Sequence, residues 1–160
     1  MTALPRATVV CAIDARNAAR VIDEVVLAAD ERHRRRIALT SSRGTPFLLD
    51  LPHATVLRDG DGLVLEDGAI VRVVSKPEAL VEITAANAAE IARLAWHIGN
   101  RHTEVHIVGE RLRIRRDHVL EEMLRGLGAH LHPIEAPFEP ETGAYNSHGH
   151  HHHHDDDNHA

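Results

Sequence analysis

Histidine gives this chain its chemical character: there are 15 in 160 residues, against one cysteine, Cys11. Neutral imidazole is a good ligand for Ni, Cu, Zn and Co ions. A lone cysteine excludes an intrachain disulfide and a thiolate cluster, so metal chemistry here must use nitrogen and oxygen donors. Seven histidines, His148, His150, His151, His152, His153, His154 and His159, crowd the C-terminal end. Such a tract has high capacity and little selectivity, because affinity across the first-row metals follows the Irving–Williams order. A run of five histidines there also reads as an affinity tag, although Gly149, the aspartates and the late His159 are unlike a designed one.

A selective site needs better-placed donors. His102, in Gly99-Asn100-Arg101-His102, follows a predicted helix and lies outside its apolar stripe, although a loop histidine is by default a surface residue. His97 shares the polar face of that helix with Glu90 and Arg93, where solvation is the simpler reading. His118 opens a second predicted helix, whose dipole favours the neutral imidazole, with Glu121 and Glu122 expected on the same exposed side. His33, within Glu31-Arg32-His33-Arg34-Arg35-Arg36, belongs to a basic turn that is either solvated or docks an acidic partner. No His-Glu-x-x-His, Walker loop, nucleophile elbow or dinucleotide glycine pattern occurs, and Cys11 is expected in the core, so no enzyme is expected.

The elements that must position these residues fall into two halves. Short apolar runs between turn signals predict strands at Thr8 to Ile13, Val21 to Ala28, Arg36 to Thr40, Pro46 to Leu51, Gly62 to Leu65 and Ile70 to Val74. Asp59-Gly60-Asp61-Gly62 and Asp67-Gly68 are turns. Ser75-Lys76-Pro77-Glu78 is a polar break, placed here as the boundary between residues 1–75, a β-rich domain, and residues 76–138.

The second half reads as strand, helix, strand, strand, helix, strand. Strands are predicted at Ala79 to Thr84, Glu104 to Val108, Arg111 to Arg115 and Ala129 to Ile134. One helix runs from Asn87 to Ile98 with Ala88, Ile91, Leu94, Ala95 and Ile98 inward, Asn87 and Glu90 as a capping pair, and Gly99 just past its end. The other starts at Asp117 as N-cap, turns Val119, Leu120, Met123, Leu124 and Leu127 inward, and stops at Gly128.

This βαββαβ order is the ferredoxin-like unit, so the fold class is α+β: an all-β N-terminal domain, then a ferredoxin-like domain with helices on one sheet face and the other face open. Alternation turns Val105, Ile107, Leu112, Ile114 and Leu131 inward, and His106, Arg111, Arg113, His130 and His132 outward. His130 and His132 then lie ~7 Å apart, a workable pair for one ion, whereas His106 falls on the opposite edge, ~14 Å away. Residues 139–160, rich in Glu, Pro, Gly, Ser, His and Asp, are expected to be a disordered metal-binding tail.

Charge and composition exclude several partners. The net charge is −6, with 18 Lys and Arg against 24 Asp and Glu, and no Lys or Arg follows Glu139. A nearly neutral body with an acidic end does not suit nucleic acid, and four aromatics, Phe47, Trp96, Phe138 and Tyr145, do not make a stacking platform. No apolar run approaches the ~20 residues that span a bilayer, and Met1 to Val10 is unlike a leader, so a cytoplasmic protein without membrane contact is expected.

Three stretches carry a family resemblance: Trp96-His97-Ile98-Gly99-Asn100-Arg101-His102, then Asp117-His118-Val119-Leu120-Glu121-Glu122-Met123-Leu124, then Ala136-Pro137-Phe138-Glu139-Pro140-Glu141 with Gly143-Ala144-Tyr145. With the His-rich end, the chain resembles the UreE urease-accessory nickel metallochaperones. The resemblance implies a peptide-binding N-terminal domain and a homodimer formed through the metal-binding domain. It implies that His102 of each protomer meets at the interface to hold one Ni(II), with tail histidines adding ligands and His97 and His118 auxiliary. Where some members carry a further histidine two residues before His118, this chain has Arg116. The implied function is nickel delivery through the urease-accessory GTPase to the urease pre-activation complex, with Cu(II), Zn(II) or Co(II) able to substitute. The alternatives are metal storage or detoxification, and a peptide-binding assembly module whose His run is a tag.

Overall fold

The computed structural model describes residues 2–143. Tail residues His148, His150 to His154 and His159 lie outside the described residues. In the first half, strands β1 (Arg6–Ala12), β2 (Val21–Leu27), β3 (His33–Thr40), β4 (Pro46–Val56), β5 (Asp61–Leu65) and β6 (Ile70–Ser75) form one sheet ordered β2-β6-β5-β1-β4-β3. The β1–β4 and β2–β6 pairs are parallel and the others antiparallel. Val25, Leu27, Phe47, Leu49, Leu51, Leu57, Leu63 and Val73 fill its core.

Turn chemistry sets the hairpins. Asp67 Oδ1 accepts from the Ala69 N–H at 2.9 Å, and Gly68 takes φ +87°, which a side chain would resist. The Arg34 to Arg36 stretch corrects the expectation of a basic turn: it is edge strand, because β3 starts at His33 and pairs with β4 from Val56 onward. Charged residues on an edge strand discourage edge-to-edge pairing. Cys11 is half-buried in β1 rather than enclosed in the core.

The second half contains β7 (Pro77–Thr84), α1 (Ala88–Gly99), β8 (His106–Val108), β9 (Arg111–Arg115), α2 (His118–Gly126) and β10 (His130–Pro137). Its strands form an antiparallel sheet ordered β10-β7-β9-β8. Both helices start where their caps predict: Asn87 Oδ1 accepts from Glu90 N–H and Asp117 Oδ1 from Leu120 N–H, each at 2.9 Å. Leu94 and Ile98 of α1, with Leu120 and Leu124 of α2, pack on Val81, Ile83, Leu112 and Ile114.

Three packing expectations need correcting. Val119 is 68% exposed and Leu127 41%, because α2 is short and only Leu120, Met123 and Leu124 meet the sheet. Ile107 shares the helix-side face with its partner Leu112 but is exposed, since β8 is the sheet edge. The face opposite the helices is not open throughout. Phe138 is fully buried there, its ring 4.7 Å from Arg115 Cζ and edge-on to His106 at 6.2 Å.

Among the described residues, no helix is long and apolar enough to cross a membrane.

Candidate metal site

The end of α1 differs from its expected form. Gly99 is the last helical residue rather than the left-handed stop, and the chain continues through Asn100 and Arg101 in tight turns, Asn100 N–H donating to Trp96 O (2.9 Å) and Arg101 N–H to Ile98 O (3.1 Å). His102 then takes φ +56° and donates its N–H to Gly99 O at 3.0 Å. It is the one non-glycine with positive φ among the described residues. The left-handed region costs an L-residue roughly 1 kcal/mol, and histidine is among the few side chains enriched there. That backbone holds the His102 side chain out of both apolar cores and exposed to solvent, and among the described residues no side chain hydrogen-bonds its imidazole. A free imidazole on a fixed turn can enter a coordination sphere without breaking anything first.

The other candidates are engaged or dispersed. His97 is half-buried, its ring edge-on to Trp96 at 5.0 Å, while Trp96 itself is 63% exposed. The exposed His118 lies 3.3 Å from Glu122 Oε1, one helical turn on. Glu121 is not on that exposed side. It is buried, accepts from the Arg116 guanidinium at 3.0 Å and from Asp117 N–H at 3.0 Å, and so closes the first turn of α2. Burial raises the Glu121 carboxyl pKa, but the bonds from Arg116 and Asp117 outweigh it and leave it below its ordinary value.

His130 and His132 do share an exposed face of β10, opposite Thr84 and Glu82. Their neighbourhood disfavours a cation. Buried Glu82 is held by Arg111 at 2.9 Å and Arg113 at 3.0 Å, two guanidinium groups that occupy the nearest carboxylate. Burial pushes the Glu82 pKa up, and the two arginine bonds more than reverse it. Among the described residues, no three His, Cys, Asp or Glu side chains converge as a metal cage.

Sequence reasoning set His106 aside, and the structure gives it a job. It starts β8 on the face opposite the helices, half-buried, and its Nδ1 accepts the Glu139 N–H at 3.3 Å. That acceptor role needs the neutral ring. Burial lowers its pKa, aided by Arg113 and outweighing the pull of Glu139 and Glu141. Arg32 was hidden inside a run that looked solvated, yet it is 2% exposed. No local pattern marks either residue, because their partners lie 33 and 106 positions away.

Comparison with known proteins joins these observations. Residues 4–76 match the family model described as UreE urease accessory protein, N-terminal domain, and residues 78–160 match that of the C-terminal domain. A Bradyrhizobium sp. protein named urease accessory protein UreE is 58% identical over 130 residues, covering 80% of this chain and 62% of that protein. A Rhodopseudomonas palustris protein of the same name is 58% identical over 123 residues, covering 77% and 57%, and one from Chelativorans sp. 49% over 131, covering 82% and 83%. The chain thus spans about three-fifths of the length of the first two relatives. With both halves matched in order, and the Gly-Asn-Arg-His turn set at the end of α1, the chain belongs to the UreE urease accessory protein family.

Proposed function

We propose that this chain is a cytoplasmic nickel carrier rather than an enzyme, a homodimer that takes up Ni(II) at a pair of His102 side chains. The observation that carries the reading is His102 itself, an exposed imidazole on a left-handed turn with no partner among the described residues. One imidazole is a poor site alone, so a second copy is needed to complete it. Exposed Trp96, Val119, Leu127 and Ile107 on the helix side of the second sheet support self-association there. The strand order β10-β7-β9-β8 with both helices on one face supports a ferredoxin-like domain over residues 76–138, following a β-rich domain over 1–75 whose peptide-binding role is implied by the resemblance alone.

Two imidazoles fix an ion and leave positions for exchangeable ligands, which the tail histidines His148, His150 to His154 and His159 supply, with His97 and His118 as auxiliary donors. His130 and His132 form a weaker second site. Open coordination suits transfer by ligand exchange, here to the urease-accessory GTPase and on to the urease pre-activation complex. Cu(II), Zn(II) and Co(II) substitute by the same donor chemistry.

The test is a calorimetric nickel titration of the full chain and of His102→Ala, with mass by light scattering on the same samples. One tight Ni(II) per dimer, lost in the variant while its metal-free melting point holds, supports the carrier. Tight binding that ignores His102→Ala supports storage in the tail instead. Ligand imidazoles must be neutral, so the ion should leave as pH falls through about 6.

A further inference from the structure

The two sheets have separate apolar cores. Val25, Leu27, Phe47 and Leu49 belong to one, and Ile83, Leu94, Leu112 and Leu124 to the other, with no residue common to both. A cleft of about 240 Å³ lies at the seam between them, lined by Arg32, His33 and Arg58 from the first half of the chain and by Glu104, Glu139 and Glu141 from the second. With separate cores and a polar cleft between them, the sheets are held together by directional polar bonds. Such a joint can open without exposing either core.

Residues 138–141, which leave β10 at one edge of the second sheet and cross its face to β8 at the other, carry bonds to both sides. Towards the first sheet, buried Arg32 donates through Nη2 to the Phe138 carbonyl and through Nη1 to Leu57 O at 3.5 Å, and it faces Glu139 Oε1 at 3.7 Å. The Glu139 carboxylate also accepts from Asp59 N–H at 3.0 Å and from Ser75 Oγ at 3.5 Å. Towards the second sheet, Glu139 donates its N–H to His106 Nδ1 at 3.3 Å and Glu141 donates its N–H to Val105 O at 2.8 Å. Buried Phe138 packs against Arg115 and edge-on to the His106 ring. One further bond crosses the seam, from Ala29 N–H to Glu78 Oε2 at 3.1 Å. A guanidinium is costly to bury unless it is bonded, so Arg32 is stable in this place only while the crossing segment lies against it.

We infer that residues 138–141 are a latch between the two sheets and that the His106 imidazole is its catch: the neutral ring holds the latch shut, and protonation opens it and lets the sheets reorient. Nδ1 can accept only while it carries no proton. Once protonated it turns a second N–H towards that of Glu139, and the Phe138 ring packed against it has to move. The charges facing the ring are mixed. Arg113 lies opposite on β9, itself bonded to Glu82, and Arg32 approaches from the first sheet, while Glu139 and Glu141 belong to the latch. Glu139 is already engaged by Arg32, Asp59 and Ser75, which leaves Glu141 as the acid able to stabilise an imidazolium. Burial and the two arginines outweigh both glutamates, so the folded His106 pKa lies below its ordinary 6.5. The stability of the latch is therefore complete above 6.5 and is lost as pH falls through the folded value.

The experiment measures the relative orientation of the two sheets by residual dipolar couplings on the metal-free full chain at about pH 7.5 and about pH 5, with amide hydrogen exchange on the same samples. At the higher pH one alignment tensor should fit the couplings of both sheets. At the lower pH each sheet should still fit a tensor of its own, which shows that it stays folded, but the two tensors should differ. Protection of the Asp59 and Ala29 amides, which donate across the seam, should fall about threefold to tenfold. His106→Gln offers an oxygen acceptor that gains no proton in this range, and should keep one tensor at both pH values. Glu139→Ala, which removes a partly exposed side chain from the other side of the latch, should need two tensors already at the higher pH. One tensor for wild type at the lower pH, two at the higher, a pH-dependent His106→Gln, or a Glu139→Ala chain that keeps one orientation would each overturn the latch.

Discussion

The two faces of the second sheet are closed by opposite means. On one, Leu94, Ile98, Leu120 and Leu124 of the helices meet Val81, Ile83, Leu112 and Ile114, with the polar groups confined to the helix caps. On the other, Glu82 bridges Arg111 and Arg113, Arg115 pairs with Glu78 and Glu104, and a single aromatic, Phe138, is the large apolar contribution of the crossing segment. Apolar closure depends on area and is indifferent to proton concentration; closure by ion pairs and a neutral histidine is not. The helix face is therefore expected to contribute stability that is independent of pH, and the other face, which also buries Leu80 and Phe138, a share that varies with pH.

Truncation on the helix face should have the largest effect. Ile98→Ala should cost roughly 2 to 5 kcal/mol in urea unfolding, and about the same amount at pH 5 and pH 8. A pH-dependent cost would erase the distinction between the faces.

Next in size is the polar face itself. Glu82→Gln removes a buried carboxylate facing two arginines, one of them well exposed, and should cost about 1 to 3 kcal/mol at pH 7. The folded carboxyl titrates below its ordinary 4.5, so its contribution is complete above that value and is lost as pH falls through the lower folded pKa. Glu82→Gln should accordingly flatten the acid limb of the stability curve. His106 works the same way higher up the scale: its folded pKa lies below 6.5, so the stability it adds is present above 6.5 and fades as pH drops through the folded value. His106→Gln should remove that step, read as loss of the fall in the Glu139 amide protection factor as pH drops below 6.5.

The smallest effect should have the opposite sign. His102→Gly relieves the left-handed strain and should stabilise the metal-free fold by up to about 1 kcal/mol while abolishing tight nickel binding. A destabilised variant would mean that His102 carries structure rather than being held in reserve.

Much of this fold is written locally. The caps at Asn87 and Asp117, the turns at Gly68 and Gly128, and the apolar periods of every strand are visible because each depends on residues within a few positions of itself. Strand ends were less legible: β3 and β10 both run past their apolar cores, since pairing with β4 and β7 continues where hydrophobicity stops. Of the candidate site, His102 is singled out by lying outside the apolar stripe, and its role as a ligand is implied only by the family resemblance. The roles of Arg32, His106 and Glu139 were not legible, since each is defined by contacts between chain segments far apart in sequence. A basic run and an alternating strand give the same local pattern whether their side chains meet water or a returning segment.

If His102 is the nickel ligand proposed above, position 102 is subject to two independent filters. The backbone there admits glycine, asparagine, aspartate and histidine, and penalises valine or isoleucine, whose branched carbons crowd a left-handed turn. Metal capture admits only side chains with a donor of suitable reach. In a saturation library, selection for folding and selection for metal would retain different sets, and their overlap is a handful of polar residues in which histidine is the strongest nitrogen ligand. A position so constrained has little room to drift, although nothing in the hydrophobic cores depends on it.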